Sequence, residues 1–560
     1  MVRPAQRLHD WQEPVAPRAA ATILLLRDTA NGIEVLMTRR SDHASFAPGA
    51  FVFPGGTIDE ADRMAAESLQ RRQQAHAGET IRNGRHPAYA AAACAAIREA
   101  FEELGILLAH AAGDGQPIAP ARLREFDRGH DGELLRQLTT MGLEPALDAV
   151  HPLIRWVTDP DLPRRFDAMF FVARMPEGQQ PSADGREQFE PVWVSPADAL
   201  TRHERGEFRM IFPTIRTLRR LRGFRSVAQL IEHCRHQPEL PTHCPRGGLI
   251  GDRIERFTED ETAYGELELV VPDGRLLHRL DWQHERAVPL MRNLQRLTAP
   301  NPGRMTGPGT NTYIIGNAED GFLVIDPGPN DFAHVARLHA IVGRQLKAII
   351  CTHAHQDHSP GAAPLKSLAG EPPILGRPTG PHFNPQWAFT PDRTLRDGDQ
   401  IRIGDTTLRA IHTPGHTEHH LCLLMEEDEV LLSGDHILNG STTVITPPDG
   451  NMRDYLQSLE RLRAERFEVI APAHGHVLGG AKREIDRLIA HRYKRENKVI
   501  DALLASQGGT LDDLVELAYD DTPKVMHDAA KRSLLAHLLK LREDGRAEFD
   551  DGRERWSLRR

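Results

Sequence analysis

The first part of the chain alternates short apolar runs with turn-forming residues, which is the pattern of β-strands. The strands predicted here are 20–26, 32–38, 51–53, 168–173 and 191–194. Asn31-Gly32, between the first two, predicts a hairpin turn. The stretch from 87 to about 108 is rich in Ala, Leu and Glu and predicts a helix, and Ser195 predicts the N-cap of another over 196–200. This mixture predicts an α/β domain.

The same alternation returns from residue 289 onward and predicts a second layered α/β domain. Its predicted strands are 312–315, 322–325, 348–351, 407–412, 421–425 and 430–432, with amphipathic helices near 331–342 and 453–464. The stretch between the two domains is rich in Pro, Gly and charged residues and contains a strand-like run at 267–271. We predict that it is a connector with some β structure.

The pattern changes to helices in the last part of the chain. A long helix is predicted to about Ala505, a short one after Thr510 and a third over 524–544. Asp551-Gly552 then predicts the turn of a closing hairpin. Three helices followed by a hairpin predict a winged-helix domain.

A chain of 560 residues is too long for one hydrophobic core, so it is predicted to be multidomain. The predicted parts are a tail (1–15), an α/β domain (16–225), the connector (226–288), a second α/β domain (289–482) and the winged helix (483–560). The fold class is therefore α/β multidomain.

The composition is that of a soluble globular protein, with 40% hydrophobic and 26% charged residues and a formal net charge of -10. Such a charge argues against electrostatic capture of nucleic acid by the whole surface. No run approaches the ~18 apolar residues needed to span a bilayer, and residues 1–11 lack the apolar core of a secretory signal. The five cysteines are too scattered for a disulfide framework. We therefore predict a cytoplasmic protein with no membrane partner.

Histidine is the unusual part of the composition, because eleven of the 29 histidines lie between 351 and 480. Four potential ligands follow directly on the predicted strand 348–351, and three more follow later strands beside a glycine or proline. These candidate ligands are His353, His355, Asp357, His358, His416, Asp435 and His474. Any one histidine alone could equally be a surface residue, but seven imidazole and carboxylate groups can fill two metal sites and leave a position for water.

The order HxHxDH, then His, Asp and His, resembles the metallo-β-lactamase superfamily. The resemblance implies an αββα sandwich with two zinc ions. It implies one ion on His353, His355 and His416, the other on Asp357, His358 and His474, and Asp435 between them. It also implies a catalytic role for Asp357, which would orient a hydroxide shared by the ions. His474 precedes a glycine, as the family's final ligand does, and is preferred to His476.

Within that superfamily, the chain from about 289 to its end is more similar to the β-lactamase-like protein 2 group. The similar stretches are Gly309-Thr310-Asn311-Thr312-Tyr313, Ile325-Asp326-Pro327-Gly328, Gly440-Ser441-Thr442-Thr443-Val444 and 455–459. This resemblance implies endonuclease activity on single-stranded RNA as an alternative to hydrolysis of an ester, thioester or other phosphodiester. The predicted winged helix gives RNA little support, because residues 491–560 contain 14 Lys+Arg and 14 Asp+Glu. Docking, or shaping of the active-site entrance, remains an equal alternative for that domain.

A second group of chemically active residues lies on the helix predicted from 87 to about 108. Glu99, Glu102 and Glu103 stand at i, i+3 and i+4, so their carboxylates share one helix face and repel one another. Taken alone, three such acids are more often a solvated helix face. The alternative is a site for Mg²⁺ or Mn²⁺, whose charge would offset the repulsion.

The nonapeptide Arg98-Glu99-Ala100-Phe101-Glu102-Glu103-Leu104-Gly105-Ile106, with Phe53-Pro54-Gly55-Gly56 upstream, resembles the Nudix hydrolase box. The resemblance implies an α/β/α sandwich and hydrolysis of a nucleoside-diphosphate-linked substrate, with the glutamates on magnesium and Glu103 catalytic. The box is interrupted, because Asp62 stands where the family has Glu and Arg98 arrives 28 residues late.

An interruption of this kind resembles the CoA-directed Nudix type, which implies a CoA or nucleotide derivative as a small-molecule substrate. If both domains are active, the protein is a bifunctional hydrolase. If the altered box is inactive, the Nudix domain is a catalytically dead nucleotide sensor beside its neighbour. Arg98 is expected to brace the glutamates rather than contact the substrate.

Overall fold

The structure is a computed structural model that describes residues 2–44, 46–76, 87–112, 117–128, 133–185 and 188–559. The chain forms two compact units, Pro14–Pro245 and Met1–Glu13 together with Arg246–Arg560. The division between them falls inside the stretch predicted as a connector, so residues 226–245 belong to the first unit and residues 246–288 to the second. No helix in the described parts of the chain combines the length and apolar character needed to cross a membrane.

The first unit is a mixed sheet covered by helices. Its strands are β1 (Arg18–Thr29), β2 (Gly32–Arg40), β3 (Phe51–Val52), β4 (Gly55–Thr57), β5 (Ala109–Ala111), β6 (Leu143–Pro145), β7 (His151–Val157), β8 (Phe166–Arg174), β9 (Gln188–Val194) and β10 (Thr242–His243). Its helices are α1 (Glu60–His76), α2 (Pro87–Leu104), α3 (Glu133–Thr140), α4 (Pro196–Glu204), α5 (Phe212–Leu221) and α6 (Val227–His236). Eight strands make one sheet, in which β10-β7-β8-β1-β2-β3 are neighbours, β4 pairs with β1 and β9 pairs with β2.

Alternation along β1 explains the layers of this unit, because successive side chains of a strand point to opposite faces. Ile23 and Leu25 pack against α2 on one face, while Leu24 and Leu26 share the other face with residues such as Leu218 of α5. Helices on both faces make an α/β/α sandwich, as the resemblance implied.

Two local predictions in this unit are confirmed. Thr29 pairs with Gly32 at the end of the β1–β2 hairpin, and Gly32 has the positive φ of +111° that suits glycine in such a turn. The Ser195 side chain accepts a hydrogen bond from the Asp198 N–H and caps α4.

The second unit carries most of the chain. Its strands are β11 (Arg246–Ile250), β12 (Arg253–Phe257), β13 (Val288–Met291), β14 (Leu294–Thr298), β15 (Asn311–Asn317), β16 (Gly321–Ile325), β17 (Leu346–Ile350), β18 (Ile374–Gly376), β19 (Arg393–Thr394), β20 (Gln400–Ile403), β21 (Thr406–His412), β22 (Leu421–Met425), β23 (Val430–Gly434), β24 (Val469–Pro472), β25 (Ala547–Asp550) and β26 (Arg555–Leu558). Its helices are α7 (Tyr264–Val270), α8 (Phe332–Val342), α9 (Ala362–Ala369), α10 (Met452–Ala464), α11 (Ala481–Ser506), α12 (Leu511–Ala518) and α13 (His527–Glu543).

Two sheets of this unit pack face to face, one of seven strands from β13 to β19 and one of five from β20 to β24. Ile315 and Leu323 of the first sheet share a buried core with Leu408 and Leu423 of the second. α8 and α9 cover the outer face of the first sheet, and α10 with the start of α11 covers the second. This arrangement is an αββα sandwich and confirms that expectation.

The C-terminal part is the winged helix that the sequence predicts. The end of α11, with α12 and α13, encloses a core that includes Leu514, Leu534 and Trp556, the last from the β25–β26 hairpin. Thr510 and Asp513 form a capping box at the start of α12, each side chain bonding to the other's backbone N–H.

The predicted strand at 267–271 is wrong, because the segment is the helix α7. The run Leu267-Glu268-Leu269 has the alternation of a strand. Leu267 and Val270, three residues apart, are both buried, however, which places them on one helix face. Glu266 is also buried, beside Arg296, and lies on the same helix face. The alternation of apolar residues does not reveal this buried position, because a glutamate occupies it.

The first residues of the chain pack on the second unit. Arg3 donates from Nε to Oδ1 of Asp428 at 2.8 Å and from Nη2 to Oδ2 at 2.9 Å, and the Asp428 side chain is fully buried. Val2 and Leu8 pack against the core between the two sheets. The chain therefore contacts the second unit before it enters the first.

Candidate functional site

Four loops at the carboxyl ends of strands carry the predicted metal ligands of the second unit. The loop after β17 carries four of them, and one each follows β21, β23 and β24. β17 lies in one sheet and the other three strands lie in its partner. All four loops follow the carboxyl ends of their strands and meet at one edge of the sandwich.

The seven candidate ligands form two groups, in each of which one ligand atom per residue lies within 4.8 Å of the others. The groups are His353, His355, His416 and Asp435, and Asp357, His358 and His474. Asp435 Oδ2 lies 3.6 Å from His416 Nε2, whereas Oδ1 lies 3.5 Å from His358 Nε2 and 3.3 Å from His474 Nε2. One carboxylate therefore presents an oxygen to each group.

Backbone carbonyls fix the tautomers of two of these histidines. Nδ1 of His416 lies 2.7 Å from the Val444 carbonyl oxygen, and Nδ1 of His474 lies 3.2 Å from that of Gly309. A carbonyl oxygen only accepts, so each Nδ1 carries the proton and donates it. The opposite nitrogen, Nε2, faces the centre with a lone pair when the ring is neutral.

Asp326, directly after β16, fixes two more rings. The Thr352 hydroxyl donates to Asp326 Oδ2 at 2.7 Å, so it accepts from His353 Nδ1, which lies 3.0 Å away. His358 Nδ1 is 3.0 Å from the same Asp326 oxygen and donates to it. Both rings therefore turn Nε2 toward the centre, the second-sphere arrangement common around metal-binding histidines.

These inward-facing atoms fit divalent cations. Among the described residues, no hydrogen-bond partner meets the buried atoms His358 Nε2, His474 Nε2 and Asp435 Oδ1. His355 Nδ1 lies 2.9 Å from His353 Nε2 and 3.1 Å from His416 Nε2, and a single N–H can point at only one of them. Lone pairs held this close repel, and cations between them would convert the repulsion into coordination.

The protonation states suit the same role. Burial, reinforced by the neighbouring imidazoles, lowers the pKa of His353 far below its usual value and that of His355 to about 3, so both rings are neutral at pH 7. Burial opposes ionisation of Asp435, but His474 and His358 outweigh it and lower the pKa of that carboxyl. Burial also opposes the charged forms of His358 and His474, but Asp357 and Asp435 outweigh it and raise the pKa of both rings. A cation that binds these two rings therefore displaces a proton from each, because neutral imidazole and ionised carboxylate are the forms that bind metal.

Several residues that support this centre were not predicted. Asp326 and Thr352 orient two rings as described, His419 Nε2 accepts the Ala354 N–H at 3.0 Å, and His420 Nε2 accepts the Asp435 N–H at 3.2 Å. A carboxylate directly after a buried strand was an available signal for Asp326. The sequence offers no comparable signal for the two histidines, whose role depends on contacts between distant loops.

The predicted Nudix residues lie on α2 in the first unit. Arg98 Nη1 donates to Glu99 Oε1 and to Glu102 Oε2, each at 2.9 Å. Arg98 Nε and Nη2 donate to the two oxygens of Asp62 at 3.1 and 3.0 Å. Asp62 precedes the interruption of the box and Arg98 follows it, so this ion pair connects the two sides of the interruption.

Glu103 is held separately. Its Oε2 accepts the Gly55 N–H at 3.2 Å and its Oε1 accepts from Gln188 Nε2 at 2.8 Å. A Cβ at Gly56 would lie 2.1 Å from Glu99 Oε1, so any other residue there would displace the Glu99 carboxylate. Burial, reinforced by the Glu99 carboxylate, raises the pKa of Glu103 well above its usual value.

Burial also raises the pKa of Glu99 to about 7, an effect that the Arg98 charge opposes. Within the described residues, however, the three glutamates do not form a group with ligand atoms within 4.8 Å of one another, as each of the two ligand groups of the second unit does. The structure therefore brings the glutamates to one helix face without gathering their oxygens around a point.

We expect Asp62→Asn to weaken the Nudix site by leaving the buried Arg98 without its bidentate partner. Arg98 keeps Glu99 and Glu102, so the cost is that of the charge-assisted hydrogen bonds to Asp62, about 2 kcal/mol. The free energy of opening of α2, measured by hydrogen exchange on the whole chain, is expected to fall by that amount.

Asp42→Asn is the matched control, because the Asp42 side chain is 70% exposed and pairs with Arg39 at the surface. Its effect on α2 is expected to be within about 0.5 kcal/mol. Equal protection of α2 in the wild type and in Asp62→Asn would show that the Asp62–Arg98 contact does not hold the helix.

Three family models match the chain. Residues 305–474 match the model described as Metallo-beta-lactamase superfamily, and residues 510–556 match Beta-lactamase associated winged helix domain. Residues 67–221 match NUDT19 Nudix domain. The three matches correspond to the three kinds of domain seen in the fold.

Known proteins are similar to each half of the chain. A Beta-lactamase-like protein 2 homolog of Caenorhabditis elegans is 31% identical over 260 residues, covering 45% of this chain and 85% of the relative. Atrochrysone carboxyl ACP thioesterase dmxR1 of Cryptosporiopsis sp. (strain 8999) is 28% identical over 284 residues, covering 47% of this chain and 84% of the relative. The crystal structure of a NUDIX hydrolase from Alicyclobacillus acidocaldarius is 30% identical with a TM-score of 0.33, covering 40% of this chain and 99% of that one.

Proposed function

Because this chain belongs to the metallo-β-lactamase superfamily and also carries a Nudix domain and a winged-helix domain, we propose that it is a bifunctional metal-dependent hydrolase. The metallo-β-lactamase domain would cleave a thioester, and the Nudix domain would cleave a nucleoside-diphosphate-linked substrate of the CoA type. The observation that carries the proposal is the position of Asp435, with one oxygen toward each of two ligand groups.

The proposed centre would hold two zinc ions, one on His353, His355 and His416 and the other on Asp357, His358 and His474, with Asp435 available to both. When bound, such ions would lower the pKa of a bound water toward ~7 and stabilise an oxyanion. We assign to Asp357 the role of orienting the attacking water. Its carboxylate lies 3.2 Å from His474 Nε2 and accepts from the Thr310 hydroxyl at 3.4 Å, which supports a position at the centre. Its side chain is 25% exposed, which leaves it open to solvent at the mouth of the site.

Two features support a thioester as the substrate of this centre. A relative is named as a carboxyl ACP thioesterase. An aromatic surface also begins at the ligand ring of His355, against which Phe383 stacks at 5.8 Å between centroids. Trp387 packs edge-on against Phe383 at 6.4 Å and is 38% exposed. An acyl chain that extends from a carbonyl at the centre would have this surface to lie on.

We expect Trp387→Ala to lower kcat/KM for a long-chain acyl thioester about tenfold, because about 1.5 kcal/mol of apolar contact is lost. The rate with the acetyl thioester is expected to stay within about twofold, since two carbons do not reach the ring. Release of free thiol measures both rates.

Trp387→Phe should restore most of the long-chain rate, and Trp11→Ala is a matched control because Trp11 is a similarly exposed indole in the N-terminal residues. An equal loss for acetyl and long-chain substrates would place Trp387 outside the acyl surface.

The Nudix proposal is supported by the contact between Asp62 and Arg98, which joins the two sides of the interrupted box. Glu99, Glu102 and Glu103 would hold Mg²⁺ or Mn²⁺, which supplies charge to offset the pyrophosphate. Cleavage of an acyl-CoA thioester releases free CoA, whose diphosphate is the bond type that a CoA-directed Nudix domain hydrolyses. The two reactions would follow one another on one molecule.

The alternative proposal is an RNA endonuclease whose Nudix domain is a nucleotide sensor. Purified full-length protein should be incubated with acyl-CoA, with free CoA and with labelled single-stranded RNA, and its metal content measured by mass spectrometry. Thioester cleavage that a chelator abolishes supports the first proposal. RNA cleavage without thioester cleavage favours the alternative, and cleavage of no substrate overturns both.

A further inference from the structure

A cluster of buried charged and aromatic residues lies in the part of the second unit between the matches to the two hydrolase families, which end at 221 and begin again at 305. Glu266 of α7 is fully buried and forms a bidentate ion pair with Arg296 of β14. Glu266 Oε1 is also 2.8 Å from His278 Nε2. A buried carboxylate with this many partners is costly to place and needs an explanation.

The same carboxylate contacts the loop that carries a candidate ligand. Glu266 Oε2 lies 3.2 Å from His476 Nδ1 and accepts the Val477 N–H at 3.3 Å. His474 is two residues earlier, across Gly475, whose φ is +87°. Glu266 therefore fixes the downstream side of the turn that presents His474.

A second contact joins this region to the loop that carries Asp435. Asn439 Nδ2 donates to the Thr262 carbonyl at 2.7 Å and to the His476 carbonyl at 2.8 Å. A Cβ at Gly265 would lie 2.1 Å from the Gly479 backbone nitrogen, so α7 approaches the chain after His474 as closely as backbones allow. Residues 258–282, which we name the brace, thus contact two of the four ligand loops.

Stacked rings complete the brace. The Trp282 ring stacks on His476 at 4.3 Å with an interplanar angle of 24°, and the Arg296 guanidinium lies over Trp282 at 4.9 Å. His476 is held on one side by Glu266 and on its face by Trp282. This environment explains why the second histidine of His474-Gly475-His476 faces away from the ligand groups.

From these contacts we propose that Glu266 is a positioning residue of the metal centre, and that the brace fixes the loops carrying Asp435 and His474. The inference rests on the proposed metal centre, because those two residues must hold ions for their loops to need positioning. Supporting residues of this kind are typically worth a 10- to ~100-fold change in metal affinity.

The experiment compares zinc binding to full-length wild type and Glu266→Gln, by chelator competition and by mass spectrometry. We expect Glu266→Gln to lower the affinity for at least one ion about 10- to 100-fold. The visible spectrum of the Co²⁺-loaded protein, which reports ligand geometry, is expected to change as well.

Glu496→Gln is the matched control, because Glu496 is another buried carboxylate, paired with Lys540 at 2.9 Å in the winged helix and away from the ligand loops. It is expected to bind zinc as the wild type does. Equal losses in both variants would indicate general destabilisation and overturn the proposal, as would wild-type affinity in Glu266→Gln.

If Glu266→Gln does not fold, the half-buried Asn439→Ala decides, with an expected loss of zinc affinity of about tenfold. Unchanged zinc binding by Asn439→Ala would then overturn the brace. Failure of the wild type itself to bind two ions is a separate result, which would overturn the proposed centre.

Discussion

Asp435→Asn is expected to give the largest loss of function in this protein. The variant keeps the size of the side chain but removes the charge that faces both ligand groups, with oxygens 3.6 Å from His416 Nε2 and 3.3 Å from His474 Nε2. We expect thioester hydrolysis to fall about a thousandfold or more, since losing about 4 kcal/mol of metal-derived transition-state stabilisation has that effect. Bound zinc, measured by mass spectrometry, should fall with it.

Asp449→Asn is the matched control for this result. Asp449 lies on a nearby loop and is half-buried, but its carboxylate accepts the Glu418 N–H at 3.1 Å and is in neither of the two ligand groups. Its zinc content and rate are expected to stay near those of the wild type. Full zinc content and a normal rate in Asp435→Asn would contradict the shared-ligand role.

The second large effect is expected from Glu103→Gln in the Nudix domain. The amide retains the shape of a side chain that is held by the Gly55 N–H and by Gln188, but it cannot ionise to bind magnesium or accept a proton. Magnesium-dependent hydrolysis of CoA or a related diphosphate is expected to fall about 10²- to 10⁴-fold. Phosphate-containing products separated by chromatography measure the rate.

Glu67→Gln on α1 is the control, because the Glu67 side chain is 69% exposed and pairs with Arg71 on the helix surface. Its rate should match the wild type. A wild-type protein that binds CoA but hydrolyses no diphosphate would instead favour the sensor hypothesis. Glu103→Gln would then cause no loss of hydrolysis, because the wild type would have no such activity.

The ligand loops could be predicted because chemistry and local pattern coincide there. His353 to His358 follow a strongly apolar strand, and His416, Asp435 and His474 each follow another, so strand ends alone bring them to one edge. The orienting contacts could not be predicted in the same way. Asp326 acts on His353 through Thr352, a relation that exists only after two strands have paired.

Two further differences have the same physical origin. The helix α7 was predicted as a strand because an alternation over only five residues does not distinguish a strand from a helix. Here one helix face is buried through the Glu266–Arg296 ion pair, which the apolar pattern does not show. Asp62 and Arg98 are 36 positions apart in the sequence, so the Nudix motif is interrupted when it is judged by spacing alone. In the fold the two side chains are in contact, as the two sides of an uninterrupted motif would be. In both cases tertiary contacts determine what the local pattern leaves open.

The two hydrogen bonds from Arg3 to Asp428 have a practical consequence for preparing the units of this protein separately. Since residues 1–13 and 246–560 belong to one unit, the Nudix unit of residues 14–245 is inserted between two segments of it. A single protease nick at either junction would still leave the fragments associated through the docked N-terminal peptide. Removing residues 1–13 together with the Nudix unit would take Arg3 away from the buried Asp428 carboxylate and so destabilise the hydrolase unit that is left.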